Sequence, residues 1–363
     1  MKSTRRKSLL WQAASPVAWP FVPLYALAVR FKDAAYGLGL LKPARLAWPV
    51  ISVGNLSVGG TGKTPMVIFL AGLLQARGWR VDVLSRGYRR RSRDVAAVDP
   101  EGDAEMFGDE PLLLARRGLP VYVGADRFQA GQMAEGGRGA EPDNSCRVHI
   151  LDDGFQHRKL RRAVDIVLLQ RGDLEDDMLP VGRLRESLSA LQRADICVLR
   201  AEDADLQERV LQLMGGADPA RIWIMERRTI LPEASSKLPF STPHVVAFCG
   251  LGDSHGFFDG LRCTGLQITK EVAFRDHHAY TQEDIARLKA VAQLVGAQCF
   301  VTTEKDSMRL AGGLRAELEK QLPLIVAGLE ISLDDEAAAM KTLESLLAAS
   351  NGTLLRDRHS NVR

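Results

Sequence analysis

The sequence predicts an α/β fold: a mostly parallel sheet with helices on both faces, followed by a smaller C-terminal α/β unit. Three observations carry this. Short, near-continuous apolar runs alternate with helical stretches, as buried parallel strands require. A Pro/Ser-rich stretch, Leu231–Pro243, separates one such series from a second. The 363 residues are enough for about two domains.

The first element is the apolar strand Pro49–Val53, then a glycine cluster (Gly59, Gly60, Gly62), then Lys63 and Thr64. The apolar helical stretch Met66–Gln75 follows. Strand, glycine loop and helix in that order make a phosphate-binding loop. The glycines turn backbone N–H groups inward around an anion, and the helix N-terminus adds positive potential. Lys63 is placed for the β- and γ-phosphates and Thr64 for Mg²⁺. Ser57 stands where the usual spacing has a glycine, so the loop is a variant. The expected ligand is a nucleoside triphosphate.

Further strands are expected at Arg80–Ser85, Val121–Gly124, Arg147–Asp152, Asp165–Gln170, Asp195–Arg200 and Ile222–Met225. Asp94–Asp109 and Ala134–Ser145 read as loops. In the second series, strands are expected at His244–Cys249, Leu266–Phe274, Gln298–Thr303 and Pro323–Ala327, with helices at Ser254–Cys263 and Thr281–Leu294. Asn351–Arg363 reads as a frayed tail. The domain boundaries expected are 1–40, 41–235 and 236–363.

Composition narrows the partners. A net charge of +3 gives no argument for nucleic acid. Five cysteines form no C-x-x-C pair; Cys197, Cys249 and Cys299 sit inside apolar runs and read as small core residues of a reducing compartment. Residues 1–40 combine Lys2, Arg5, Arg6 and Lys7 with Trp11, Trp19, Phe21, Tyr25 and Phe31. The apolar run Val17–Val29 is too short to span a bilayer and is broken by Pro20 and Pro23. The reading is a helix at a membrane surface, with packing on the protein's own core as the alternative.

Several groups carry chemistry. Arg147–Asp153 is a strand ending in two acids, Asp152 and Asp153, suited to Mg²⁺. Gln156 and His157 follow closely. Tyr88 lies at a strand end, where ligands bind in open α/β sheets. Asp109, in Gly108-Asp109-Glu110-Pro111, reads by itself as a helix cap. Arg127 is suited to transition-state charge on a phosphoryl group. His277 and His278 are paired, but without a third ligand they do not read as zinc.

Taken together, these segments resemble one family, the tetraacyldisaccharide 4′-kinases of lipid A biosynthesis. The matching stretches are VGNLSVGGTGKTP (Val53–Pro65), SRGY (Ser85–Tyr88), GDEP (Gly108–Pro111), ADR (Ala125–Arg127), LDDGFQH (Leu151–His157), LPVGRLRE (Leu179–Glu186) and DHH (Asp276–His278). The variant phosphate loop is that family's own form. The resemblance implies a P-loop NTPase-like fold and phosphorylation of a lipid disaccharide 1-phosphate by ATP and Mg²⁺. It implies a peripheral enzyme at the cytoplasmic face of the bacterial inner membrane, without an obligate protein partner. By resemblance, Gly59, Gly60, Thr61, Gly62, Lys63, Thr64, Tyr88, Gln156 and His157 bind nucleotide. Thr64, Asp152, Asp153 and Glu110 serve the metal. Asp109 is the base on the sugar hydroxyl with His277 as its partner, and Lys63 and Arg127 join them in catalysis. The alternative is a membrane-associated switch ATPase, in which Asp109 and His277 are structural.

Overall fold

The computed structural model describes residues 19–88, 90–136, 146–232 and 244–360, the last ten of these by backbone only. The chain forms two compact units. One takes the described residues up to Lys63, Leu151–Met225 and the chain from Leu333. The other takes Thr64–Ile150 and Glu226–Ser332. Both are assembled from distant stretches, so neither ends at the Pro/Ser-rich segment. Residues 233–243 of that segment lie outside the described residues.

The strands, in chain order, are β1 (Val50–Asn55), β2 (Arg80–Ser85), β3 (Ala96–Ala97), β4 (Val121–Val123), β5 (Arg147–Asp152), β6 (Val164–Leu169), β7 (Ile196–Arg200), β8 (Ile222–Ile230), β9 (His244–Cys249), β10 (Gln267–Ala273), β11 (Cys299–Thr303) and β12 (Leu324–Leu333). In the first unit β1, β6, β7 and the start of β8 pair side by side, all parallel. Every residue of β1 and β6 is buried, as expected of strands covered on both faces. Phe155, Leu191 and Leu199 are fully buried in the core beneath.

The second unit holds two strand sets. In one, β2 pairs parallel with β4, and β4 pairs antiparallel with the two-residue β3. In the other the order is β10-β9-β11-β12, parallel throughout. Val246, Phe248, Leu288 and Phe300 fill its core.

Most expected strands lie within a residue or two of their observed ends. The loop expected over Asp94–Asp109 is a correction. It contains β3 and a short helix, Ala104–Phe107, capped by Asp103, whose side chain accepts from Met106 N–H. The tail is a second correction, since one helix runs from Glu336 to Ser360. Helices Glu304–Arg309 and Leu314–Glu319 were not foreseen. A six-residue helix shows too few turns for its periodicity to register.

The helix Phe21–Gly37 has an inverted pattern. Several of its polar groups face the protein, though Arg30 is exposed: Tyr25 donates to the Arg185 carbonyl (2.9 Å) and Lys32 to the Gln156 carbonyl (3.0 Å). Asp33 accepts from Arg158 (2.7 Å). Phe21, Leu24, Leu27, Phe31, Leu38 and Leu40 face outward and are exposed. Residues 1–18, with the basic cluster and Trp11, lie outside the described residues. Among the described residues no helix is long and apolar enough to cross a membrane.

Candidate active site

The phosphate loop stands where the sequence places it. β1 ends at Asn55, and the helix Lys63–Ala76 begins at the loop's lysine. Gly62 takes φ +95°, which an L side chain rarely adopts. Thr64 is buried, and so is Thr61, whose Oγ1 has no hydrogen-bond partner among the described residues. Lys63 Nζ donates to Asn55 Oδ1 (3.1 Å) and lies 3.4 Å from Asp153 Oδ1. Its charge is thus held by Asn55 and Asp153.

Asp152 closes β5 and is buried. Asp153 turns the chain at φ +51°. Its other oxygen accepts from Arg185 Nη1 (2.9 Å). Burial pushes the Asp153 pKa up, but Lys63 and Arg185 together outweigh it and hold the carboxyl below its ordinary value. Arg185 also donates to Gln156 Oε1 (3.3 Å), and Gln156 Nε2 donates to the Asn55 carbonyl (2.8 Å). Gln156 therefore braces the loop's first turn. His157 N–H donates to the Gly154 carbonyl in the same turn (2.8 Å).

These residues fit Mg²⁺. The donors are hard oxygens, a threonine hydroxyl and one or two carboxylates, and Mg²⁺ takes its remaining ligands from water and phosphate. Among the described residues no group of three His, Cys, Asp or Glu could hold a metal ion.

A second cluster forms in the other unit around Asp109. The cap expected of Asp109 is corrected: Gly108 occupies the N-cap and Asp109 is the first helical residue of Asp109–Arg116. Gly108 takes φ +92°, and a Cβ there would lie 3.2 Å from the Tyr88 carbonyl. Only glycine lets the chain turn so sharply. The Asp109 side chain meets two partners instead of its own helix. Arg309 Nε donates to Oδ2 (2.6 Å), and His277 Nδ1 lies 3.4 Å from the same oxygen. Burial pushes the Asp109 pKa up; the His277 ring and the Arg309 guanidinium outweigh it, and the carboxyl sits below its ordinary value.

His277 is held at φ +58°. Asp153 and His277 are the two non-glycine residues with positive φ among the described residues. Such strain concentrates at functional positions. The exposed Tyr88 ring stands edge-on to the His277 ring, 5.9 Å between centroids. Glu110 Oε1 accepts from Lys305 Nζ (2.5 Å). His278 is occupied differently: its ring stacks on Phe274 and Nε2 meets Asp284 Oδ2 (2.9 Å). Arg127 is buried in the first turn of helix Arg127–Gly136, with Nη1 donating to the Ala125 carbonyl (2.9 Å).

The first unit therefore brings together Lys63, Asp153, Gln156 and Arg185, and the second Tyr88, Asp109 and His277. Arg185 and Arg309 escaped the sequence reading. Arg185 lies within the LPVGRLRE stretch and had that signal. Arg309 follows no motif and is one of many arginines.

Comparisons with known proteins identify a family. The family model "Tetraacyldisaccharide-1-P 4'-kinase" (LpxK) matches residues 14–348. A tetraacyldisaccharide 4′-kinase of Koribacter versatilis is 41% identical over 92% of this chain and 99% of its own. One from Pelobacter propionicus is 39% identical over 96% of each chain. The crystal structure of Aquifex aeolicus LpxK in complex with ATP is similar with TM-score 0.70 and 32% identity, covering 93% of this chain and all of that one.

Proposed function

The chain belongs to the tetraacyldisaccharide-1-phosphate 4′-kinase family, and from that premise we propose how its residues divide the work. It is an ATP-dependent lipid kinase that transfers the γ-phosphate to the 4′-hydroxyl of a tetraacyldisaccharide 1-phosphate.

Phosphoryl transfer needs alignment and charge neutralisation more than covalent chemistry. Lys63 exchanges Asn55 and Asp153 for the β- and γ-phosphates, and the loop backbone of Gly59–Gly62 cradles them. Thr64 with Asp152 or Asp153 would hold Mg²⁺, which would offset charge on the phosphate oxygens. Asp109 receives the proton of the 4′-hydroxyl as the oxygen bonds to phosphorus and ADP leaves. A carboxyl of depressed pKa is a weak base. It suits a loose transition state in which the hydroxyl proton leaves late. The observation that carries this role is the Asp109 side chain itself: it leaves the cap position and is gripped by His277 and Arg309.

The outward apolar stripe of helix Phe21–Gly37 supports a peripheral place on the cytoplasmic face of the inner membrane. There the acyl chains stay in the bilayer while the sugar reaches the protein. The test is transfer of labelled γ-phosphate from ATP to tetraacyldisaccharide 1-phosphate in mixed micelles. Wild type should transfer and Lys63→Ala should not. Equal transfer by both would overturn the role of the loop.

A further inference from the structure

We propose that Asp173 is a positioning residue of the phosphate loop: through the Ser57 hydroxyl it pins the entry of the loop and so sets where Lys63 stands. This rests on the reading of Lys63 as the lysine that meets the phosphates.

Ser57 stands where the usual phosphate loop has a glycine, just before Gly59, Gly60 and Gly62. It is 2% exposed and bridges antiparallel to Leu184. Val58 N–H donates to the Arg183 carbonyl (2.8 Å), and Arg185 N–H to the Leu56 carbonyl (2.7 Å). The backbone at the loop entry is therefore held from one side by residues 183–185. The serine adds what a glycine lacks, a hydroxyl, and that hydroxyl donates to the Asp173 carboxylate.

Asp173 lies in the turn after β6 and is 1% exposed. Its Oδ2 accepts from Gln170 N–H (3.0 Å) and closes a reciprocal capping box with that residue. The carboxylate is thus fixed by its own turn before it meets the loop. Burial pushes its pKa up; the Ser57 hydroxyl, the Gln170 N–H and the nearby Arg183 pull it back, and the balance stays above the ordinary value.

From Asp173 the donors and acceptors run one way. A serine hydroxyl has a single proton. With that proton on Asp173, Ser57 Oγ can only accept from its other neighbours. Asn55 Nδ2 lies 3.5 Å from Oγ and donates to the Ser57 carbonyl at 2.8 Å. The NH₂ end of the Asn55 amide is therefore turned to Ser57, and Oδ1 is left to accept from Lys63 Nζ (3.1 Å). A flipped amide would set donor against donor at both contacts. Four side chains, Asp173, Ser57, Asn55 and Lys63, each have one orientation that satisfies the series. The loop is ordered before nucleotide arrives, and binding then costs less in ordering.

ATP affinity, separated from lipid affinity, tests the role. Asp173→Ala should raise the KM for ATP about 5- to 30-fold, with the KM for tetraacyldisaccharide 1-phosphate within about twofold of wild type. Ser57→Ala should raise the ATP KM to a similar degree. In that background Asp173→Ala should add less than about twofold, because the group it acts through is gone. Asp173→Asn keeps an oxygen that accepts from Ser57 and should return the ATP KM to within about threefold of wild type. Ser57→Ala and Asp173→Asn carry the same readouts if Asp173→Ala does not fold. An unchanged ATP KM in Asp173→Ala or Ser57→Ala, independent losses that multiply in the double variant, or an equal rise in both KM values would overturn the inference. Undiminished ATP binding and transfer by Lys63→Ala would instead overturn the reading of the loop itself.

Discussion

Replacing Leu24, Leu27 and Phe31 with glutamine should detach the protein from membranes without unfolding it. The three are 64%, 63% and 75% exposed, so about two-thirds of each side chain remains to be buried by something else. Fully burying a Leu or Phe is worth about 1.5–3 kcal/mol, hence about 1–2 kcal/mol for the exposed part and about 3–6 kcal/mol for the three. At about 1.4 kcal/mol per decade, partition onto vesicles should fall about 10²- to 10⁴-fold. The assay is flotation with vesicles of zwitterionic and anionic phospholipid, beside thermal unfolding of the same protein. Surface substitutions of this kind cost within about 0.5 kcal/mol each in stability. Unchanged flotation would refute the reasoning. So would a large fall in the unfolding midpoint, which would mean that these side chains are covered by protein. Phe21, Leu38, Leu40 and the basic residues at the chain start stay in place, so the measured loss is that of three side chains alone.

Other outcomes follow from the same contacts. Gly54→Ala would put a Cβ 2.6 Å from Phe155 Cβ and 2.8 Å from its backbone nitrogen; the backbone cannot yield cheaply, so a stability loss of about 3 kcal/mol or more is expected by urea unfolding, and a near-neutral variant would contradict it. Asp153 has its native carboxyl pKa depressed by Lys63 and Arg185 against burial. Its contribution is therefore present above the unfolded value of about 3.9 and lost as pH falls through the native one. In chelator-treated protein the destabilisation by Asp153→Asn should shrink as pH drops below about 4, and a constant gap would count against the pairing. Burial raises the thiols of Cys197 and Cys249 to about 12, while Cys146 and Cys263 are exposed. Alkylation of native protein should label the exposed pair alone, and fast labelling of Cys197 would contradict the core placement.

Much of this was legible in the sequence, for identifiable reasons. Strands such as β2 and β5 announce themselves because both faces are buried and the apolar run has no helical period. The phosphate loop is local: strand, glycines, lysine and helix are contiguous, so one stretch of sequence contains the whole device. Asp109 shows the limit. Beside a helix start it reads by itself as a cap; family resemblance pointed to His277, 168 residues away, but only the fold reveals Arg309, 200 residues away. Arg309 sits on a six-residue helix with no periodic signal, and its role exists only through side chains brought in from elsewhere. Arg185 was quoted within a motif, yet its grip on Asp153 needs the turn at positive φ to bring the two together. The unit boundaries were illegible for a related reason. Each unit is assembled from separated stretches, and composition along the chain marks linkers, not spatial neighbours.

The most direct measurement is single-turnover transfer of the γ-phosphate from ATP to tetraacyldisaccharide 1-phosphate by Asp109→Asn, alongside ATP affinity. The account predicts unchanged ATP binding and a transfer rate about 10²- to 10⁴-fold below wild type, the range for loss of a positioned general base. A transfer rate within about threefold of wild type would contradict it and return Asp109 to a structural role.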